Sequence, residues 1–135
     1  MKKLFFFLWL ICLIAACSSS KINNSKDKFT EVRFGNYGGF SNLSTEYIIT
    51  GDGQLSKVEN NVTKPVKVVR KKVLREIDDK LKSIEFEKLR INDLGNITYF
   101  IKVKTSEYEN TVRWNDETQN IELLNTYRTL IEILQ

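Results

Sequence analysis

The chain has 135 residues and a formal net charge of +4, with 41% hydrophobic residues, two cysteines and no histidine. A length of this order holds one domain and short terminal segments. Because histidine is the commonest general base and the commonest transition-metal ligand, its absence argues against the enzyme and metal-site classes that depend on it.

Residues 1–16 have the pattern of a secretory signal peptide. Lys2 and Lys3 precede an uncharged apolar run from Leu4 to Ile14, and small residues follow it. The run is shorter than the roughly 20 apolar residues of a membrane-spanning helix, and as a buried core helix it would have no polar face. We expect a leader that is removed. The remaining chain is then close to neutral, which makes nucleic acid an unexpected partner.

The sequence Ile14-Ala15-Ala16-Cys17 resembles the lipobox of bacterial lipoproteins, with Ile14 in place of the more common Leu. In that family a diacylglyceryl group is joined to the Cys thiol, a peptidase cuts before the Cys, and the new amine is often acylated. The thiol suits this role because a thiolate is the nucleophile that takes the lipid. The resemblance implies that Cys17 is the lipid attachment site and the first residue of a mature protein held on a membrane of the cell envelope.

The same assignment accounts for both cysteines. Cys12 leaves with the leader and Cys17 carries the lipid, so the mature domain has no thiol for a disulfide, for zinc or for catalysis. Ser18 follows the Cys where an Asp would favour inner-membrane retention in some bacteria. We therefore expect an outer-membrane location facing the periplasm.

Residues 17–28 are rich in Ser, Asn and Lys and have no hydrophobic periodicity, which predicts a flexible tether. Residues 29–135 are predicted to form one α+β domain. Its first strand covers residues 29–34, where apolar and polar side chains alternate. A Gly- and Asn-rich loop over residues 35–43 leads to a second strand at 45–50. Gly51-Asp52-Gly53 is a hairpin turn, after which residues 54–60 pair back as a third strand.

A helical stripe follows the third strand. Its apolar residues are three or four positions apart: Val66, Val69, Val73, Ile77, Leu81 and Ile84. Pro65 suits a first helical turn and Thr63 a cap. The β-branched residues 66–69 are also compatible with a strand, so the helix is expected only from about Lys71.

The second half repeats the pattern of strands followed by a helix. Residues 97–103 alternate most clearly, with Ile97, Tyr99, Ile101 and Val103 on one face and Thr98, Phe100, Lys102 and Lys104 on the other. A partner strand contains Val112 and Trp114, and a second helix runs from about Asn120 to the end. We predict an antiparallel sheet of about five strands with two helices packed on one face, in the order β-β-β-α-β-β-α.

A second resemblance covers most of this domain. It is carried by Phe34-Gly35-x-x-Gly38-Gly39-Phe40, Tyr47, Asp52-Gly53, Gly95-Asn96-x-x-Tyr99-Phe100-Ile101 and Trp114. Together these residues look like those of small lipoproteins of Bacteroidota-type bacteria whose activity is uncharacterised. The resemblance implies the architecture and leaves the function open.

The segment Gly35 to Phe40 is the most distinctive candidate site. Its glycines permit unusual backbone conformations, and Tyr37 and Phe40 could present aromatic side chains to a partner. The alternative is a wide turn whose aromatic side chains are buried in the core. The segment lacks the Lys-Ser/Thr ending of a phosphate-binding loop.

A basic run is the second candidate surface. It consists of Lys64, Lys67, Arg70, Lys71, Lys72 and Arg75, with no acidic residue among them. Such a run could face anionic headgroups or another acidic polymer of the envelope. Acidic residues follow from Glu76 onward, so the alternative is an ordinary solvated helix face.

No catalytic, metal or cofactor site is predicted. Asp78 and Asp79 are neighbours on a helix and point in different directions, whereas glycosidases need two carboxyl groups facing across a cleft. Calcium needs several oxygen ligands at loop spacing, and Gly51-Asp52-Gly53 and Asn92-Asp93 offer too few. We therefore expect a non-enzymatic binding or accessory domain with an envelope protein or polymer as partner. The alternatives are a small hydrolase built on carboxylates or Ser–Lys pairs and a purely structural spacer, which would expose no concave or aromatic surface.

Overall fold

The computed structural model of the chain describes residues 28–40 and 43–135. The predicted leader, Cys17 and the tether up to residue 27 lie outside the described residues. Six strands, two α-helices and one short 3₁₀ turn (Phe86–Lys88) are present in this part of the chain. They are β1 (Glu31–Gly38), β2 (Leu43–Thr50), β3 (Gln54–Glu59), β4 (Val62–Val68), α1 (Lys71–Ser83), β5 (Ile97–Lys104), β6 (Glu109–Trp114) and α2 (Ile121–Glu132).

The strands form one antiparallel sheet in the order β4-β3-β2-β1-β5-β6. The first strand, β1, lies near the middle and pairs along its whole length with both β2 and β5. The predicted α+β class is confirmed, as are the hairpin turn before Gln54, the helix that begins at Lys71 and the strand from Ile97.

The sheet has six strands rather than about five, because residues 62–68 form an additional edge strand. Pro65 pairs with Ser56 of β3 and does not begin a helix, and Thr63 is a strand residue rather than a cap. Proline lacks an N–H and is tolerated in sheets mainly at edges. Val66 thus matched the helical spacing by coincidence, and the β-branched content of the segment decided its conformation.

Both helices contribute to one hydrophobic core on a single face of the sheet. Every strand except the edge strand β4 contributes alternate side chains: Val32, Phe34, Ile49, Leu55, Ile101, Val103, Val112 and Trp114. From the helices come Leu74, Ile77 and Leu81 of α1 and Leu123 and Leu130 of α2. The period of two in the strands and of 3.6 in the helices therefore places their apolar residues in the same layer.

Five aromatic residues meet within this layer and are called the inner aromatic cluster: Phe34, Tyr47, Tyr99, Trp114 and Tyr127. The ring of Tyr127 on α2 lies edge-on to Trp114, with centroids 5.2 Å apart, and to Tyr99 at 5.7 Å. Phe34 stacks on Tyr47 at 5.6 Å. The cluster fastens α2 to the central strands, because edge-to-face aromatic pairs add to the free energy gained by burial.

Candidate binding surface

The glycine-rich segment after Phe34 is strand, where the sequence suggested a loop. β1 continues to Gly38, so only residues 39–42 connect it to β2. A Cβ at Gly35 would lie 1.9 Å from the carbonyl oxygen of Thr45, and one at Gly38 would lie 2.2 Å from that of Asn96. These glycines allow neighbouring backbones to approach β1 closely, which is a use of glycine that the loop interpretation did not consider.

Tyr37 lies on the sheet face opposite the helices. Its backbone is between Ser44 of β2 and Thr98 of β5, and 37% of the residue is exposed. The phenol ring packs against Phe100 of β5, with centroids 6.2 Å apart and planes tilted by 42°. Tyr37 therefore forms an aromatic pair with the partly exposed Phe100 on a face whose other side chains are mainly polar.

Phe40 lies in the turn between β1 and β2 and is fully exposed, at 109% of the reference value for a free residue. Leu43, which begins β2 beside this turn, is 69% exposed. Neither Tyr37 nor Phe40 contributes to the core, so the interpretation in which both are buried is wrong. The structure joins Tyr37 to Phe100 rather than to Phe40, and Tyr37, Phe40 and Phe100 are called the outer aromatic residues.

The centre of the same face carries paired charges. The guanidinium of Arg33 donates to Glu31 at 2.7 Å and to Glu46 at 3.1 Å, and these contacts raise the pKa of Arg33 above its usual value. Lys102 of β5 pairs with Glu109 of β6 at 2.6 Å, which lowers the pKa of that carboxyl group. These charged side chains are paired mostly with one another. They form a polar surface, called the polar floor, beside the aromatic pair.

A shallow depression of about 400 Å³ lies between the aromatic pair and this floor. Its lining includes Arg113 of β6, whose backbone is paired with that of Phe100. Among the described residues, the side-chain partner of Arg113 is the amide oxygen of Asn92, at 3.5 Å. A guanidinium with so weak a partner next to an aromatic ring is suited to binding an anionic or aromatic group.

The sequence did not single out Phe100, Arg33 or Arg113 as candidate binding residues. Phe100 did give a signal, because it is a large aromatic residue on the polar side of a clearly alternating strand. Arg33 and Arg113 gave none, since their position beside Tyr37 depends on how β1, β5 and β6 are ordered in the sheet.

Within residues 28–40 and 43–135, no three acidic, histidine or cysteine side chains come together in a group that could hold a metal ion. The carboxylates of the open face are instead engaged by cations, as described for Glu31, Glu46 and Glu109. In the same part of the chain, neither helix is long and apolar enough to span a bilayer. Cys17 lies outside it.

No protein-family model matches the chain, and no curated protein is similar to it at a significant level.

Proposed function

We propose that this chain is a lipid-anchored protein of the bacterial cell envelope and that its domain is a non-enzymatic binding or accessory module. Lipid on Cys17 holds it on the membrane, in our proposal the periplasmic side of the outer membrane. The observation that carries the binding role is the exposure of the outer aromatic residues, above all of Phe40. An exposed aromatic ring adds nothing to the core, whereas aromatic and Arg side chains are the commonest anchors of protein interfaces.

The location of these residues supports the proposal. Lys28, the described residue nearest to Cys17 along the chain, adjoins the start of β1, whereas Phe40 follows the other end of that strand. Eight residues of extended strand span about 27 Å. A domain tethered through its N-terminus would therefore present the turn at Phe40 away from its attachment point, where a partner can reach it.

The anchor is tested by Cys17→Ala, with Cys12→Ala as the matched control. We expect the Cys17→Ala protein to keep its leader, to incorporate no labelled palmitate and to lose the processed, membrane-bound form. The Cys12→Ala protein should be processed like the parent, because Cys12 leaves with the leader. Normal processing and palmitate labelling of the Cys17→Ala protein would overturn the proposal of an anchor.

The binding role is tested by crosslinking in cells and purifying the adducts. We expect the parent to yield one reproducible envelope partner and Tyr37→Ala/Phe40→Ala to lose it. The control is Val62→Ala/Val66→Ala, which removes exposed apolar side chains from the edge strand β4, separated from β1 by two strands. Loss of the partner in the control, or retention in the aromatic variant, would contradict the proposed site.

A further inference from the structure

Six cationic residues lie at one end of the domain, the end at which the predicted tether joins β1. Lys28, Lys71 and Arg75 line one surface depression beside Gly51, and Lys67 and Arg70 line the next one, beside Val69. Together with Lys72 they are called the basic end. Lys64, which belongs to the same run in the sequence, lies at the other end of β4 and pairs with Glu59.

Most cations of the basic end have no acidic partner among the described residues. The exception is Lys72, which lies 3.9 Å from Glu76, with both side chains largely exposed. Two nearby carboxylates are engaged elsewhere: Asp78 pairs with Lys82 at 2.9 Å, and Asp52 accepts hydrogen bonds from Thr50 and from the backbone of Gln54. Two others, Glu76 and Glu132, line the same depression as Lys67 and Arg70. The six cations outnumber these two carboxylates, so the basic end carries an excess of positive charge.

The start of α1 is unfavourable for the helix itself. Arg70 at its N-cap position makes no side-chain cap, and the first turn contains no acidic residue. Helix α2, by contrast, is capped by Asn120, whose side chain accepts a hydrogen bond from the Leu123 N–H, and has Glu122 in its first turn. Because cations near a helix N-terminus oppose the helix dipole, Lys71 and Lys72 weaken α1 locally. A helix face that is only solvated has no need for cations at the helix N-terminus, where they are unfavourable.

The tether places the basic end near a bilayer. Ten residues separate Cys17 from Lys28, and a fully extended chain over those eleven Cα–Cα steps reaches about 40 Å at most. If Cys17 carries lipid, Lys28 cannot leave the vicinity of the membrane surface. The other cations lie at the same end of the domain, so their distance from the membrane surface is limited by the same tether.

We propose that the basic end docks onto anionic phospholipid headgroups of the membrane that holds the lipid anchor. The inference rests on the proposed anchoring and adds an orientation to it. Each cation near an anionic surface contributes attraction that falls off within a Debye length of about 8–10 Å. Docking would hold the sheet with its basic end toward the bilayer and the turn at Phe40 pointing away.

The test uses a chain that starts at residue 18, so that no lipid can be attached. This chain retains the whole core, which extends from Phe29 to Leu134. Its sedimentation is measured with vesicles of phosphatidylcholine alone and of phosphatidylcholine mixed with phosphatidylglycerol. We expect binding to the mixed vesicles only, weakened strongly by added salt. Equal binding to neutral vesicles, or none to anionic ones, would overturn the proposal.

The triple variant Arg70→Gln/Lys71→Gln/Arg75→Gln locates the surface. We expect it to bind the mixed vesicles at least about tenfold more weakly than the parent and to unfold at the same temperature or higher, because it relieves the start of α1. The control Lys57→Gln/Lys64→Gln/Lys88→Gln removes the same charge from cations that have acidic partners outside the basic end. It should bind like the parent.

Two further results would contradict lipid docking. Equal losses in both triple variants would mean that net charge alone governs binding. Binding to soluble polyglutamate without binding to vesicles would mean that the basic end recognises an acidic polymer. Since this chain lacks Cys17, either result would leave the proposed anchor untouched, and a failed Cys17→Ala experiment would leave the vesicle result untouched.

Discussion

The domain contains two groups of aromatic residues: one on the face of the sheet that the helices cover, and one on the opposite face and in the turn after β1. The inner aromatic cluster is packed between the strands and α2, with Trp114 only 1% exposed. The outer aromatic residues include Phe40, which is fully exposed. The two groups contain similar residue types in different surroundings. The inner cluster stabilises the fold, and the outer residues are available to a partner.

This difference shows where the chain departs from what folding alone requires. Burying an aromatic side chain is favourable, and leaving it in water gains nothing. Trp114 and Tyr127 are packed in the core, as this rule predicts, whereas Phe40 is left in water. Departures of this kind are expected at functional sites, so changes in the two groups should separate stability from binding.

The largest expected effect is in the inner cluster. Trp114→Ala removes the ring that Tyr99 and Tyr127 pack against. It should lower the free energy of unfolding by about 3–5 kcal/mol, because it leaves a large cavity in the core. Chemical denaturation of the purified domain measures this. A loss below about 1 kcal/mol would mean that the cluster does not hold α2 on the sheet.

A second effect concerns the backbone that places Tyr37 outward. Gly35→Ala puts a Cβ against the carbonyl oxygen of Thr45, so β1 and β2 must move apart. We expect a loss of about 1–3 kcal/mol, as for other forced backbone conformations. Denaturation together with amide hydrogen exchange in β2 would test it. Unchanged stability and exchange would contradict the close approach of the two strands.

A third effect depends on pH. Burial raises the pKa of the Tyr127 phenol to about 12, above its ordinary value near 10. The neutral Tyr127 phenol contributes its full stabilisation of the fold below pH 10. This contribution is lost as the pH rises through 12, because burial disfavours the charged phenolate in the folded state. Because the phenol stays partly accessible to solvent, we expect a loss of about 1–2 kcal/mol after allowing for screening. The same alkaline decline in Tyr127→Phe as in the parent would contradict this assignment.

The smallest expected effect is at the outer aromatic residues. Phe40→Ala should change the free energy of unfolding by less than about 0.5 kcal/mol, because the side chain makes no core contact. Thermal unfolding of the variant beside the parent measures this. A loss of more than about 1.5 kcal/mol would show that Phe40 supports the fold, and its exposure would then need no partner.

Periodicity in the sequence was enough to predict most of the fold. The alternation in residues 97–103 gave β5, and the spacing of Val73, Ile77 and Leu81 gave α1. Residues 62–68 could not be assigned, because alternating Val and Lys in an exposed edge strand bury nothing and leave no one-sided pattern. The single proline added to the ambiguity, since it suits both a helix start and a sheet edge.

The candidate site was predicted only in part. Tyr37 and Phe40 stood out because they interrupt a glycine-rich segment, and both prove to be on the surface. The sequence could not show that Gly35 and Gly38 are strand residues, because that depends on carbonyl groups of Thr45 and Asn96, in other parts of the chain. The pairing of Tyr37 with Phe100 likewise follows from the adjacency of β1 and β5.

The binding role of the outer aromatic residues is tested most directly by placing a photoreactive phenylalanine at position 40 in cells. The control places the same group at Val66, which is also exposed but lies on edge strand β4. We predict one dominant envelope adduct from position 40 and none of that mass from position 66. The same adduct from both positions, or none from position 40 in the folded and anchored protein, would contradict a binding role for Phe40.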